Sequence, residues 1–270
     1  MPVTDKDGLR HWTLLSRRQT LLRWLGLFLG AVLVVISFRF ISGQTLWMFV
    51  WDAPEQAADL ISRMFPPEWP YANRLWRALW DTINIATLGT LMAIVISVPL
   101  AFLAARNTTP HPVFRQLALL VIVFSRSVNA LIWALLLVSV IGPGVLAGVI
   151  AIGLRSIGFV SKLLYEAIEE INPKPIEALT STGATKAQTT SYGIVPQVMP
   201  TFIGTAVYRW DINIRESTIV GLVGAGGIGL QLDAAISSLQ WGRASVIFIM
   251  ILLLVVISEW VSAQARKSIT

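Results

Sequence analysis

The sequence predicts an all-α membrane protein of six transmembrane helices, and three observations predict it. Hydrophobic residues fill 55% of the 270 positions and charged residues only 13%. Several apolar runs reach about 20 residues, enough to cross a hydrocarbon core of roughly 30 Å. Basic residues are shared unequally between alternate connecting segments, as in chains that obey the positive-inside rule. A mean hydropathy of +0.68 excludes the one or two soluble domains that length alone would allow. The chain has no cysteine, so disulfides and thiolate metal sites are unavailable. Its formal net charge is +6. With no basic cluster interleaved with aromatics, that excess reads as cytoplasmic loops and not as a nucleic-acid surface.

The first span, Thr20–Ile41, follows Arg17 and Arg18 and includes Arg23. Its length and the lack of a small-residue cleavage pattern read as a retained anchor, not a signal peptide. Residues 42–72 then mix Asp52, Glu55, Asp59 and Glu68 with Trp47, Trp51, Trp69 and Tyr71. That mixture suits a short helix at the outer interface, with aromatics at headgroup depth and no function of its own. The second and third spans are Leu75–Ala105 and Phe114–Ile141. The turn Gly142-Pro143-Gly144 makes the third and the fourth, Val145–Ile168, antiparallel neighbours. The fifth and sixth are Ile194–Val223 and Ser245–Ala265. The longest exceed about 25 residues, which implies tilting or extension past the bilayer. The organisation is residues 1–74 as cytoplasmic segment, first helix and outer segment, then 75–270 as a core of five helices with a polar loop at 172–196.

An even number of spans puts both termini on one side. With the N-terminus inside, the cytoplasmic segments hold Lys6, Arg10, Arg17, Arg18, Arg23, Arg106, Arg115, Lys162, Lys174, Lys186, Arg266 and Lys267. The outer segments keep Arg63, Arg74, Arg77 and Arg243. This imbalance makes both termini, and the polar loop, cytoplasmic.

Beyond the basic residues assigned to the connecting segments, five arginines remain within the spans, each costing several kcal/mol at the bilayer centre unless paired or hydrated. Arg39 is near enough to the outer end to snorkel. Arg126 and Arg155 lie deeper, beside serines. The fifth span carries "YRWDINIRESTIVG", with Asp211 and Arg215 four residues apart and Arg209 and Glu216 seven apart, each pair on one helical face. One reading is internal salt bridges that stabilise packing. The other is a wet, electropositive path for an anion, with guanidinium forks suited to phosphate-like oxygens. The second makes Arg126, Arg155, Arg209, Asp211, Asn213, Arg215 and Glu216 the candidate substrate pathway.

"GAGGIG", Gly224–Gly229, satisfies G-x-G-x-x-G in letters alone: a membrane span precedes it and the nearest acid is Asp233, so nucleotide binding is not supported. Gly224, Gly226, Gly227 and Gly229 read instead as a break in the fifth span, a hinge or gate. No P-loop motif occurs, so the chain binds no ATP in that manner and carries no cofactor of its own. His11 and His111 are far apart, and neither H-E-x-x-H nor G-x-S-x-G is present, which argues against a metal site or an intramembrane hydrolase. The chain reads as a conduit without an engine, not as an enzyme.

Such a conduit needs a docking surface, and "EALTSTGATKAQTTSYGIVP", Glu177–Pro196, supplies one. Pro173 and Pro175 end the fourth span and start a new helix with Glu177 in its first turn. Gly183 allows a bend, and Ala184–Tyr192 forms a second short helix. The small residues Ala178, Gly183, Ala184 and Ala187 permit close approach by another protein. The pattern E-A-x-x-x-x-G-A followed by a hydrophobic-Pro end resembles the EAA loop of ABC importer permeases. Leu179 and Thr182 in that loop, the run "RWDINIRESTIVGLVGAGGIG" from Arg209 to Gly229 and "KLLYEAIEEI" at Lys162–Ile171 are similar to the phosphonate and phosphite branch. The resemblance covers Leu75 onward.

The resemblance implies a type I importer fold in a bacterial inner membrane. It implies ATPase coupling by Glu177, Ala178, Leu179, Gly183, Ala184 and Pro196. It also implies a homodimer with a second permease copy, two cytoplasmic ATPase subunits that bind ATP and Mg, and a periplasmic substrate-binding protein delivering phosphonate or phosphite. The alternatives are an importer permease for another solute, such as an amino acid, or a secondary transporter or intramembrane enzyme. The last class needs an inverted repeat or a catalytic constellation, and neither is found in the sequence.

Overall fold

The computed structural model describes residues 3–6, 9–12 and 16–267. By its contacts the chain divides into two units, Met1–Ile61 and Ser62–Thr270.

The first unit contains one element outside the all-helical expectation. Strands β1 (Val3–Lys6) and β2 (Leu9–Trp12) pair antiparallel, with Val3 opposite Trp12 and Lys6 opposite Leu9. The sequence places Asp-Gly between them, the dipeptide of two-residue hairpins; those two residues lie outside the described ones. Helix α1 (Arg17–Gln44) opens with a capping box between Ser16 and Gln19. It is apolar all round, which suits a helix whose solvent is lipid. Helix α2 (Trp47–Met64) fills most of the expected interfacial segment, and Trp47 Nε1 donates to the Ser42 carbonyl at 3.1 Å.

In the second unit a single 3₁₀ turn, Trp69–Tyr71, leads into α3 (Ala72–Ala104). There follow α4 (Pro112–Ser127), α5 (Ala130–Ile141), α6 (Val145–Glu169), α7 (Lys174–Ser181) and the short α8 (Lys186–Gln188). Wide π-type turns over Thr189–Ile194 carry α8 into α9 (Val195–Val220). A second set, Gly221–Ala225, precedes α10 (Gly227–Ser237), and α11 (Trp241–Lys267) closes the described chain. Four helices among the described residues are long and apolar enough to span a bilayer, and two bent pairs bring the number to six if each is one span.

The bent pairs correct two expected spans. Phe114–Ile141 is not one rod: α4 and α5 meet at 88°. Val128 is extended and the Asn129 side chain accepts the Leu131 amide at 3.2 Å, so a new helix is capped where the old one would have continued. The fifth span begins earlier than expected, at Lys186, and bends by 57° before α10. The short helix expected over Ala184–Tyr192 is therefore the first part of that span and not a separate piece.

Helices α3 and α6 form the spine, joined through small residues. A Cβ on Gly89 would lie 3.1 Å from the Val149 carbonyl oxygen, so the two helices approach closely at that small residue. Ser97 Oγ donates to the Ile157 carbonyl across the same contact at 2.9 Å. Leu75, Ile214, Ile228 and Ile247 pack α3, α9, α10 and α11 into one apolar cluster.

Candidate functional site

Near the middle of the second unit, α3, α6, α9 and α11 surround a polar cluster. Glu216 on α9 takes two guanidiniums: Arg155 Nη1 of α6 at 2.5 Å from Oε1, and Arg209 Nη2 at 3.1 Å from Oε2. Arg209 is 2% exposed. Its Nε donates to Ser156 Oγ at 2.9 Å, and its guanidinium lies 5.2 Å from the centre of the Phe159 ring. Ser156 in turn donates to Asn213 Oδ1 at 3.2 Å, and Asn213 Nδ2 donates to Thr90 Oγ1 at 2.7 Å. One turn along α9, Arg215 Nη2 meets Asp211 Oδ2 at 2.5 Å, and Ser258 of α11 donates to Asp211 Oδ1 at 2.8 Å.

Six of the seven pathway candidates thus fall in this cluster: Arg155, Arg209, Asp211, Asn213, Arg215 and Glu216. Both ion pairs read from spacing are present. The salt-bridge geometry is complete, yet three arginines face only two carboxylates, which leaves the cluster formally +1. Arg126 is apart from it, exposed in the last turn of α4, with its stem beside Gly158. Arg39 is exposed on α1. The sequence reading missed Thr90, Phe159 and Ser258, which no spacing links to α9. Ser156 was signalled only as a serine beside Arg155.

Helix α3 serves as a ruler for the unit, rising about 1.5 Å per residue. In its first turns Arg74, Arg77 and Asp81 line a cavity of about 360 Å³ with Gly226 and Gly227. Thr82 Oγ1 accepts the Ile228 amide at 2.8 Å, and Thr90 reaches the charged cluster. Just past its far end Asn107 lines a groove of about 730 Å³ with Glu169, Ile176, Thr180, Ala184 and Lys186. The basic cavity and the groove therefore lie at opposite ends, with the charges between them.

The glycine run breaks the span, as its composition suggested. Gly224, Gly226 and Gly227 have φ of +90°, +83° and +74°, conformations that residues with a Cβ rarely adopt. Gly229 is helical, but a Cβ there would lie 2.0 Å from the Thr218 carbonyl oxygen. The Gly144 amide donates to the Gly224 carbonyl at 3.0 Å, fastening the break to the turn before α6.

In the polar loop, α7 begins at Lys174 with Glu177 in its first turn and stops at Gly183 in a Schellman motif. Gly183 has φ of +80°, its amide donates to Thr180 O at 3.0 Å, and the Ala184 amide donates to Leu179 O at 3.2 Å. Thr185 and Gln188 then form a capping box that starts α8. Ile176 and Leu179 turn inward onto Gly193, while Glu177, Ala178, Gly183 and Ala187 are exposed and Ala184 is half-buried. Gln197 ties the base: its Oε1 accepts the Asn172 amide at 3.0 Å and its Nε2 donates to Gly193 O at 2.6 Å. Pro196 is exposed in the first turn of α9.

Comparison with known proteins agrees with this architecture. Residues 97–269 match the family described as binding-protein-dependent transport system inner membrane component. The phosphite transport system permease protein PtxC of Stutzerimonas stutzeri is 40% identical over 210 residues, 78% of this chain and 76% of that one. The phosphate-import permease protein PhnE of Mycolicibacterium smegmatis is 42% identical over 216 residues, 80% of this chain, but this match spans only 41% of that longer protein. Among solved structures, an inward-facing MetNI methionine ABC transporter chain superposes with a TM-score of 0.65 at 19% identity, covering 74% of this chain and 98% of that one. The fold, the family match and the two relatives converge: the chain belongs to the binding-protein-dependent transport system inner membrane components, the multi-pass permease subunits of ABC importers.

Proposed function

We propose that this permease imports a phosphorus oxyanion, phosphonate or phosphite, under the power of a separate ATPase. The observation that carries the substrate class is the trio in which two arginines, Arg209 buried and Arg155 partly exposed, share the single carboxylate of Glu216. Guanidinium forks bind phosphate-like oxygens in bidentate fashion, and a small positive excess beside a partly buried carboxylate favours a small anion. Relatives bearing phosphite and phosphate in their names support the same class.

In this reading a second copy of the chain completes the pathway, and both termini are cytoplasmic. The exposed residues Glu177, Ala178, Gly183 and Pro196, with Leu179 and Ala184 behind them, seat α7 in a cleft of the ATPase, which alone binds ATP and Mg. A periplasmic binding protein delivers the anion at the end where Arg74 and Arg77 line a cavity. The glycine break acts as the hinge. Closure of the ATPases moves α7, and the groove beneath it passes that motion to α6 and α9.

The test is reconstitution of the permease with its ATPase and binding protein in liposomes. ATPase stimulation and radiolabelled uptake are expected with phosphonate or phosphite and not with amino acids. Stimulation by an amino acid and by no phosphorus oxyanion would sink the substrate reading.

A further inference from the structure

Glu216 holds its two arginines one oxygen apiece, Oε1 to Arg155 and Oε2 to Arg209. This is the pattern in which a phosphoryl-type group engages a pair of guanidiniums. We infer that Arg155 and Arg209 form an oxyanion seat whose resting occupant is Glu216, and that the transported anion passes by displacing that carboxylate. The inference rests on the oxyanion reading of the function.

The two arginines are held unequally. Arg209 is fixed by Ser156, by Phe159 and, through Ser156, by Asn213 and Thr90. Among the described residues the side-chain hydrogen bonds of Arg155 and Glu216 run within the trio, and their side chains are 32% and 14% exposed. One fork is preorganised, while the carboxylate and the second arginine are free to part. Charge supplies the selectivity. A carboxylate brings one negative charge to two guanidiniums, whereas a phosphonate or phosphite group can bring a second as its remaining hydroxyl ionises near neutral pH. A dianion neutralises the seat better than Glu216 does, and a monocarboxylate gains nothing over it.

Displacement also answers a kinetic need, because a bare buried arginine pair would retain a dianion too well for conduction. An internal competitor weakens binding and drives release. The unpaired carboxylate is costly in the interior, so it returns to the seat as the anion leaves.

The test uses the full chain with its ATPase partners in nanodiscs, with thermal stability followed against methylphosphonate or acetate at constant ionic strength. E216A is expected to show saturable stabilisation by methylphosphonate, with an apparent affinity at least about tenfold above wild type, because the competitor that occupied the seat is gone. R155A/E216A should lose it. If E216A does not accumulate, E216Q carries the same expectation. A folded E216A or E216Q with no anion-dependent shift overturns the seat, as does a shift that persists without Arg155 or that acetate produces equally well. Phosphonate uptake by wild type is scored separately. An Arg155-dependent shift supports the seat whatever solute wild type imports, and a missing shift leaves phosphonate import standing.

Discussion

The buried cluster and the polar loop before α9 are both rich in hydrogen bonds, but the bonds have different reach. In the cluster, partners come from four helices: Arg155 to Glu216, Asn213 to Thr90 and Ser258 to Asp211 each join residues far apart in sequence. In the loop nearly every bond joins residues two to five apart, from the Schellman turn at Gly183 to the capping box at Thr185. Among the described residues only Gln197 spans the loop, its amide pairing with Asn172 at the other end. The cluster is therefore organised by the tertiary fold and fails with it. The loop organises itself and leaves its outer face for something else.

Arg209 tests that contrast most severely. R209A takes from Glu216 one of its two arginines and from Ser156 its guanidinium donor, and breaking a buried pair from one side costs up to about 3–5 kcal/mol. We expect a large loss of folded yield and melting temperature, and no uptake. R155L/R209L/E216L removes all three charges of the trio and should recover much of the stability but none of the uptake. If the single variant melts with wild type, the cluster is not fixed by the fold as described.

Gly229 comes next. A methyl group at that position would meet the Thr218 carbonyl and Gly221, so G229A should cost about 1–3 kcal/mol by overpacking. The loss would appear as lower thermal stability, with ATPase association intact. A neutral result would mean that the break between α9 and α10 yields easily and is a mobile part of the molecule.

What the sequence revealed follows the same division. Signals that repeat at helical spacing were legible: the spans, the pairs Asp211–Arg215 and Arg209–Glu216, the start of α7 and the stop at Gly183. Arg155 and Glu216 were both named from the sequence, yet their contact joins different helices and no spacing could show it. Thr90, Phe159 and Ser258 were invisible for the same reason, being ordinary residues of apolar helices until the fold brings them to the charges. The 88° bend at Val128–Asn129 was missed because apolar composition continues through it, although Asn129 is a capping residue. The pairing of Val3–Lys6 with Leu9–Trp12 was missed because four-residue strands carry no apolar run, and Asp-Gly between them is its one sequence cue.

In the loop, G183A should cost only about 1 kcal/mol, since a Cβ there meets nothing within 4 Å and the penalty is the left-handed backbone alone. Its effect is expected in coupling: normal membrane insertion, with ATPase hydrolysis no longer matched by uptake. E177A should behave likewise with smaller change in stability, Glu177 being exposed in the first turn of α7. Normal coupling in both variants would remove the docking role from this loop and leave the contrast between the regions purely structural.

Arg126 offers the smallest and most discriminating effect. It is exposed, stands outside the cluster and forms no ion pair among the described residues, so R126A should shift stability by less than about 0.5 kcal/mol. If it guides the anion toward the seat, its contribution is a field and not a contact. Uptake should then fall by roughly two- to tenfold at low ionic strength, and the deficit should fade as salt shortens the Debye length. The Arg209 deficit should not respond to salt, because that guanidinium is buried and its pairing is screened little. A salt-insensitive loss in R126A would place Arg126 in direct contact with the anion and extend the site beyond the four helices that now enclose it. No loss at any ionic strength would remove Arg126 from the pathway.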